Sequence, residues 1–413
     1  MARFSVRFLG CKVSQADALL IRDALRDAGH HEVPEGDAEV RVVNTCALTV
    51  GAEKKSRKQV NRAARHARTF VTGCAANLNA GQFSGDVTVV AGSADKAAAE
   101  IVGQLGVPPE VACAADHEAP IGRTRAFLKV QNGCDYGCAF CIIPWTRGAA
   151  ESRPLSVVIR DARRRIGEGH PELVLTGINI GTYRDPEGGG GLPHLIREVG
   201  RLEGLQRLRI SSIEPGDLTE DLFAALAELQ IAARHLHVPL QSGDDAVLQA
   251  MRRRYSVAQY LDGLRRARRW LPDLNLTSDA IVGFPTEDKA ALEGTMAVAR
   301  EAGMSKIHVF PYSPRPGTPA AEMQGRPAPD ELKERAARVR DLSDQLGFAY
   351  RQGRLGKRER VLCEIRFHDG TTSGLGADYS RFVLSEGIGA PGRMTDVIVS
   401  GVAGQHLTAR AVA

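Results

Sequence analysis

Short β-like runs alternate with helix-patterned stretches along most of this 413-residue chain, and that alternation limits the fold more than any other feature. Strands separated by a helix-length crossover pair in parallel, and helices cover the resulting sheet. From residue 1 to about 110 the runs are FSVRFLGC, EVRVVNTC, RTFVTGC and DVTVVAG. Helical periodicity marks QADALLIRDALRDAG, ended by Gly29, and TVGAEKKSRKQVNRAARHA. A small parallel α/β sheet is predicted. A longer series follows: FLKVQNG, ELVLTGIN, RLRISSIEP, HLHVPLQS, LTSDAIVGFP and KIHVFPYS. Helical patterns follow them near 156–168, 192–203, 217–230, 244–270 (broken in the middle), 287–302 and 329–350. Six βα units predict a barrel-like parallel sheet, incomplete beside the eight of a full TIM barrel. Beyond about residue 352, short strands separated by turns predict a small all-β module. The stretch 107–123, with three prolines and no periodicity, reads as a linker. The expected division is 1–112, 120–350 and 352–413.

Cysteines fall at telling places in this pattern. Cys11, Cys46 and Cys74 each close a β-run. Ligand sites in open parallel sheets lie at the carboxyl ends of strands, so these three can meet in space although 35 and 28 residues apart. The competing reading is three unrelated buried thiols packed as small hydrophobes. In NGCDYGCAFCIIPWTRG, Cys134, Cys138 and Cys141 have the spacing C-x3-C-x2-C, with no fourth cysteine or histidine at ligand distance. A structural zinc takes four protein ligands. Iron–sulfur clusters are held by cysteine thiolates, and three of them on a four-iron cubane leave one iron open for a substrate or cofactor. A zinc knuckle is the weaker alternative. Polar residues and glycines also collect past the barrel strands: Gly177 and Asn179, Ser212 and Glu214, Gln241 and Ser242, Asp279 and Gly283. Such convergence marks the functional face of a barrel. The GGGG at 188–191 lacks the residues of a phosphate loop and reads as a flexible loop.

Composition narrows the class. The chain is 43% hydrophobic and 25% charged, without a continuous apolar stretch long enough to span a membrane and without a signal-peptide pattern at its start. A soluble cytoplasmic protein is expected. Eight cysteines in a reducing compartment point to metal ligands or catalytic groups before disulfides. Net charge is only +5, but residues 52–68 carry seven Lys or Arg and one Glu, and residues 251–269 seven Arg and one Asp. These are either solvated helix faces or phosphate-binding surfaces.

C-x3-C-x2-C after the first strand of a six-unit βα barrel resembles the radical S-adenosylmethionine (SAM) enzymes, and Phe140 beside the last cysteine suits that superfamily. LGCKVSQAD, NTCALT and TGCAAN resemble the three cysteine motifs of its methylthiotransferase branch, and LTGINIGTY, SSIEP, HVPLQSGDD, DAIVGFP and FPYSPRPGTPA its barrel motifs. The resemblance covers nearly the whole chain. It implies an α/β architecture: an N-terminal parallel α/β domain, a partial (β/α)6 radical SAM barrel and a small C-terminal all-β TRAM-like module. It further implies two 4Fe–4S clusters and bound SAM. Cys134, Cys138 and Cys141 would hold the radical-generating cluster, whose open iron chelates SAM. Cys11, Cys46 and Cys74 would hold an auxiliary cluster whose open iron binds the sulfur to be inserted. Gly177 and Asn179 would let backbone approach SAM; Glu214, Gln241 and Asp279 are either its polar contacts or structural hydrogen-bonding residues at strand ends. Cys113 and Cys363 match no motif and are taken as inert.

GCKVSQ is similar to the first motif of the branch acting on N6-threonylcarbamoyladenosine in tRNA, which the resemblance would convert to its 2-methylthio derivative beside the anticodon. Partners would be tRNA, an electron donor and a sulfur source, with no membrane. The alternatives are methylthiolation of isopentenyladenosine or of a ribosomal-protein aspartate and, from another class, a non-enzymatic iron–sulfur RNA-binding protein. Two departures stand out: Ser14 where the family often has Asn, and Ala377 and Asp378 before Tyr379 in the β-module. Asp378 beside RNA phosphate is unfavourable, so the module is expected to bind RNA weakly or chiefly to pack on the barrel.

Overall fold

The alternation folds as two parallel systems in the computed structural model, which describes residues 1–106 and 124–412. The stretch read as a linker, with Cys113, lies outside the described residues. The first system contains β1 (Arg3–Phe8), α1 (Lys12–Asp27), β2 (His31–Glu32), β3 (Val40–Thr45), α2 (Val50–Ala64), β4 (Arg68–Gly73), α3 (Cys74–Leu78), β5 (Val87–Val89) and α4 (Ala94–Leu105). Its strands pair in parallel in the order β2-β1-β3-β4-β5. All six residues of central β3 are buried, because both faces of the sheet are covered. Val42 joins Phe4, Ile21, Leu25 and Ile101 on one face, while Val43 joins Val60, Val71 and Ala75 on the other.

The second system begins with β6 (Arg125–Lys129), β7 (Gln131–Asn132), α5 (Ile143–Arg147), β8 (Glu151–Ser152), α6 (Leu155–Gly167), β9 (Glu172–Thr176), α7 (Leu192–Gly200) and β10 (Arg207–Ile210). It continues with α8 (Glu220–Ala227), β11 (His235–His237), α9 (Asp245–Ala250), α10 (Val257–Trp270), β12 (Asn275–Val282), α11 (Lys289–Glu301), β13 (Lys306–Pro311) and α12 (Pro329–Gln352). Strands β6-β9-β10 and β11-β12-β13 form parallel sheets, and the bridges Leu208↔Ala232 and Ser212↔His237 join them. The six predicted βα units therefore make a partial barrel with no pairing between β13 and β6 among the described residues. The predicted break within 244–270 is real: α10 restarts at a capping box between Ser256 and Gln259. The loop around 188–191 is organised by Asp185, whose carboxylate accepts the backbone N–H of Leu155, Glu187 and Gly188.

Alternate strand residues face opposite ways. Leu128, Leu175, Leu208, Leu236, Leu276 and Ile307 pack outward in one core with the helices. Their neighbours Arg125, Glu172, Arg209, His237, Asp279 and His308 line a polar lumen. Helix α1 of the first system packs on the inner face of β6 and β9, with Ala16 against Phe127 and Val174.

Five strands, β14 (Arg358–Arg366), β15 (Thr372–Leu375), β16 (Arg381–Leu384), β17 (Met394–Ala403) and β18 (His406–Ala411), close a small barrel in the order β14-β15-β16-β18-β17. It docks on the amino ends of the large barrel's strands. Arg209 donates to the carbonyls of Gly376 and Ala377 at 3.1 Å each, and Asn275 Nδ2 to that of Asp378 at 2.6 Å. Asp378 is buried and accepts from Tyr350 Oη at 2.9 Å, with Arg354 Nε at 3.3 Å. The departure noted in the β-module is thus a buried docking contact. No helix among the described residues is long and apolar enough to cross a membrane.

Candidate functional site

The carboxyl ends of β1, β3 and β4 lie side by side, and each delivers a cysteine. Cys11 caps α1, Cys46 follows β3 and Cys74 opens α3. A Cβ at position 10 would lie 2.9 Å from Cys46 Cβ and 3.0 Å from its Sγ, so glycine there lets the Cys11 loop close on Cys46. Ser56 of α2 fixes the Cys46 backbone twice, accepting its N–H and donating to its carbonyl, both at 3.0 Å. Burial pushes the Cys46 thiol up to about 11, with Cys74 and Cys11 adding to the rise. It also raises Cys74, against the pull of Arg147, whose Nε donates to Cys74 Sγ at 3.2 Å.

The second trio hangs on a loop between β7 and α5. Gly133 opens it at φ +67°, a left-handed conformation, and a Cβ there would sit 1.8 Å from the Ala149 carbonyl oxygen. Backbone N–H groups of Tyr136 and Ile143 point at Cys134 Sγ (3.4 Å) and Cys141 Sγ (3.5 Å). Burial raises Cys134 and lifts Cys141 to about 12. Arg253 Nη1 donates to Cys138 Sγ at 3.1 Å, and its other terminal nitrogen pairs with Glu214. Phe140 packs against a cluster holding Ala139, Met251, Phe284 and Tyr312.

Both trios suit an iron–sulfur cluster better than a single metal ion. Thiolates sharing one zinc lie about 3.8 Å apart, given Zn–S bonds of about 2.3 Å. Among the described residues the His, Cys, Asp and Glu ligand atoms that gather in a trio within 4.8 Å are those of His237, Asp279 and His308; neither cysteine trio is so tight. Each cysteine trio also has a buried guanidinium against one sulfur, Arg147 or Arg253, which suits an anionic group. Arg147 further pairs with Asp17 at 2.9 Å, linking the segment after Cys134, Cys138 and Cys141 to α1 and Cys74.

Sequence reading missed both arginines. Arg147 stands six residues past Cys141 with nothing local to mark it. Arg253 was hidden in a basic run read as one surface. Three of its seven arginines pair with acids: Arg253 with Glu214, Arg265 with Glu301, and Arg266 with Glu220 and Asp262. By contrast Lys54, Lys55, Lys58, Arg62 and Arg65 on α2 are exposed and have no acidic partner among the described residues.

The remaining candidates scatter. Glu214 lies beside the trio of Cys134, Cys138 and Cys141 through Arg253. Asn179 is 4% exposed, and the Tyr136 hydroxyl faces its carboxamide. At Gly177 the Cβ space is filled by Ile180 and Gln131, at 2.9 and 3.0 Å, so internal packing accounts for that glycine. Gln241, at φ 63°, is stitched by its backbone to Asp279 and Ile281. Asp279 pairs with His237 at 3.2 Å inside the lumen. Cys363 is buried in β14 of the small barrel, with Thr395 Oγ1 3.6 Å away.

Residues 128–299 match the radical SAM superfamily, and residues 3–92 match the uncharacterized protein family UPF0004. The chain is similar to the threonylcarbamoyladenosine tRNA methylthiotransferase MtaB of Bacillus subtilis, 37% identical over 372 residues (85% of this chain, 82% of the relative). The Thermotoga maritima protein of the same name is 31% identical over 388 residues (91% and 89%). The tRNA-2-methylthio-N(6)-dimethylallyladenosine synthase of Zymomonas mobilis is 32% identical over 384 residues (88% and 86%). Among solved structures, the radical SAM methyltransferase TsrM from Kitasatospora setae is similar in fold, with a TM-score of 0.55 at 14% identity (78% and 77%).

Proposed function

The chain belongs to the radical SAM methylthiotransferases, and from that premise we propose that it converts N6-threonylcarbamoyladenosine, at position 37 beside the tRNA anticodon, to its 2-methylthio derivative. The observation that carries this reading is the pair of cysteine trios, each with three thiols and a buried arginine, linked through Arg147. Cys134, Cys138 and Cys141 would hold the cluster that supplies the electron for cleaving SAM and so the radical that removes hydrogen from base carbon 2. Cys11, Cys46 and Cys74 would hold a second cluster, which supplies the sulfur. Arg147 and Arg253 hold positive charge against Cys74 and Cys138 and keep those thiolates compensated out of water. Arg147, pinned by Asp17, sets the two cysteine loops against each other. The free basic face of α2 would take tRNA phosphates, with strongly salt-dependent affinity. We place the activity in the cytoplasm, where tRNA and reducing conditions coincide.

The test is mass spectrometry of tRNA nucleosides from cells with and without this protein. Loss of 2-methylthio-threonylcarbamoyladenosine is expected. Its persistence alongside loss of the 2-methylthio isopentenyl nucleoside would move the substrate to the second reading, which the 32% identical dimethylallyladenosine synthase favours. With purified protein, Cys134→Ala should abolish reductive SAM cleavage. Cys46→Ala should retain part of it while abolishing sulfur insertion; equal loss of both would count against separate roles.

A further inference from the structure

Beside the lumen of the large barrel stands a cation with no carboxylate partner among the described residues. Arg125 pairs with Glu364 at 3.2 Å, and Arg207 and Arg209 share Glu172 at 3.0 and 2.9 Å. Lys12, one residue beyond Cys11, makes no ion pair or hydrogen bond among the described residues, and its Nζ stands 5.5 Å from the ring of Tyr379. That ring stacks on His235 with centroids 4.6 Å apart, which sets Lys12 at the edge of the lumen histidines.

Polar groups of the lumen are already oriented. Thr277 Oγ1 bonds His235 Nε2 at 2.8 Å and His237 Nδ1 at 2.9 Å, and His237 Nε2 faces Asp279 at 3.2 Å. Asp279, the acid nearest the histidines, is therefore engaged by His237. The ring of His308 lies 5.6 Å from that of His237 and closes no hydrogen bond among the described residues. Among the described residues the lumen thus offers an ammonium with no carboxylate partner and an exposed imidazole that lies within 4.8 Å of Asp279 without a hydrogen bond, beside a fixed histidine pair. A ligand carrying an anion and a hydroxyl would complete it. An apolar ligand would leave Lys12 and His308 desolvated and unpaired.

We propose that Lys12, with His308, binds the carboxylate of the substrate's threonylcarbamoyl group and so selects this base over one with an apolar N6 substituent. The assignment rests on the substrate reading above. Lys12 stands next to a cysteine of the sulfur-supplying trio, so the same short stretch of chain would present sulfur and grip the far end of the modified base.

A chemical cycle tests it. Iron-loaded enzyme is given anticodon stem-loops bearing either threonylcarbamoyladenosine or its primary amide, which is neutral and nearly the same shape. Wild type should prefer the acid in kcat/KM by about 10- to 100-fold, the range expected of one charge-assisted contact. Lys12→Met should bring that ratio close to one, and Lys12→Arg should restore part of it. If Lys12→Met lowers iron content, His308→Gln, on a different strand from every cysteine, carries the same measurement. An unchanged acid-to-amide ratio in both variants overturns the proposal. So does a stoichiometric metal other than iron that His308→Gln releases, since the lumen trio would then be a metal site. Wild type inactive on both stem-loops but active on an isopentenyl one sinks the substrate reading itself, an outcome distinct from a ratio that fails to respond.

Discussion

Asp17→Asn tests how the first sheet is locked onto the barrel. The Asp17 carboxylate meets Lys129 Nζ at 2.6 Å and Arg147 Nη2 at 2.9 Å, and all three side chains are 6% exposed or less. Burial alone would push the carboxyl up; Lys129 and Arg147 outweigh it and hold it below the usual carboxylate range. Asparagine keeps the shape and removes the charge, leaving two buried cations with too few acceptors. Breaking a buried pair in this way costs about 3–5 kcal/mol. Unfolding entropy of about 2.1 cal/mol/K per residue comes to roughly 0.9 kcal/mol/K for this chain, so Tm should fall by about 3–6 °C if the chain melts as one unit. The assay is anaerobic thermal denaturation of the iron-loaded protein followed by circular dichroism. Lys129→Met should be less damaging in the Asp17→Asn background than in wild type, because there it removes a charge that has lost its partner. An Asp17→Asn melt within about 1 °C of wild type, on the same entropy scale, would refute the reasoning. So would strictly additive losses in the double variant.

Two further outcomes follow from the site. Gly133→Ala puts a Cβ 1.8 Å from a backbone oxygen, so the radical-cysteine loop must shift; about four fewer iron atoms per chain and loss of SAM cleavage are expected, and full iron content would contradict the clash. Asp217, half-buried beside Glu214 with one carboxylate oxygen unpartnered among the described residues, has its carboxyl pushed up to about 6, burial acting first, Glu214 adding and Arg184 opposing. The folded chain therefore holds this proton more tightly than the unfolded chain, where the group titrates near its ordinary 3.8. The stability so gained is full below about pH 4 and lost as pH rises through about 6. Asp217→Asn should melt above wild type at pH 8 and level with it near pH 4; a difference that does not vary with pH would show that this carboxyl does not titrate as described.

What sequence could reveal was set by range of interaction. Strand and helix periods are local, so β3, β9 and the split at Ser256 follow from neighbouring residues alone. Cysteine placement was legible because strand ends of a parallel sheet share one edge whatever the packing above them. Partners were not. Arg253 and Lys54 look alike in a basic run, yet one lies buried on Glu214, 39 residues earlier in the chain, and the other faces solvent. The lumen carried a signal that composition hides. RLRI and HLHV alternate polar with apolar residues, a pattern ordinarily read as a sheet with one wet face. Here the helices cover the outer, apolar face, so the charged positions Arg207, Arg209, His235, His237 and Asp279 can only point inward. A charge on the alternate positions of a strand in a βα series is therefore evidence about the interior of a barrel. Lys12 comes from helix α1 of the first system and stands 5.5 Å from the ring of Tyr379, which is why no reading of the barrel strands alone would have found it.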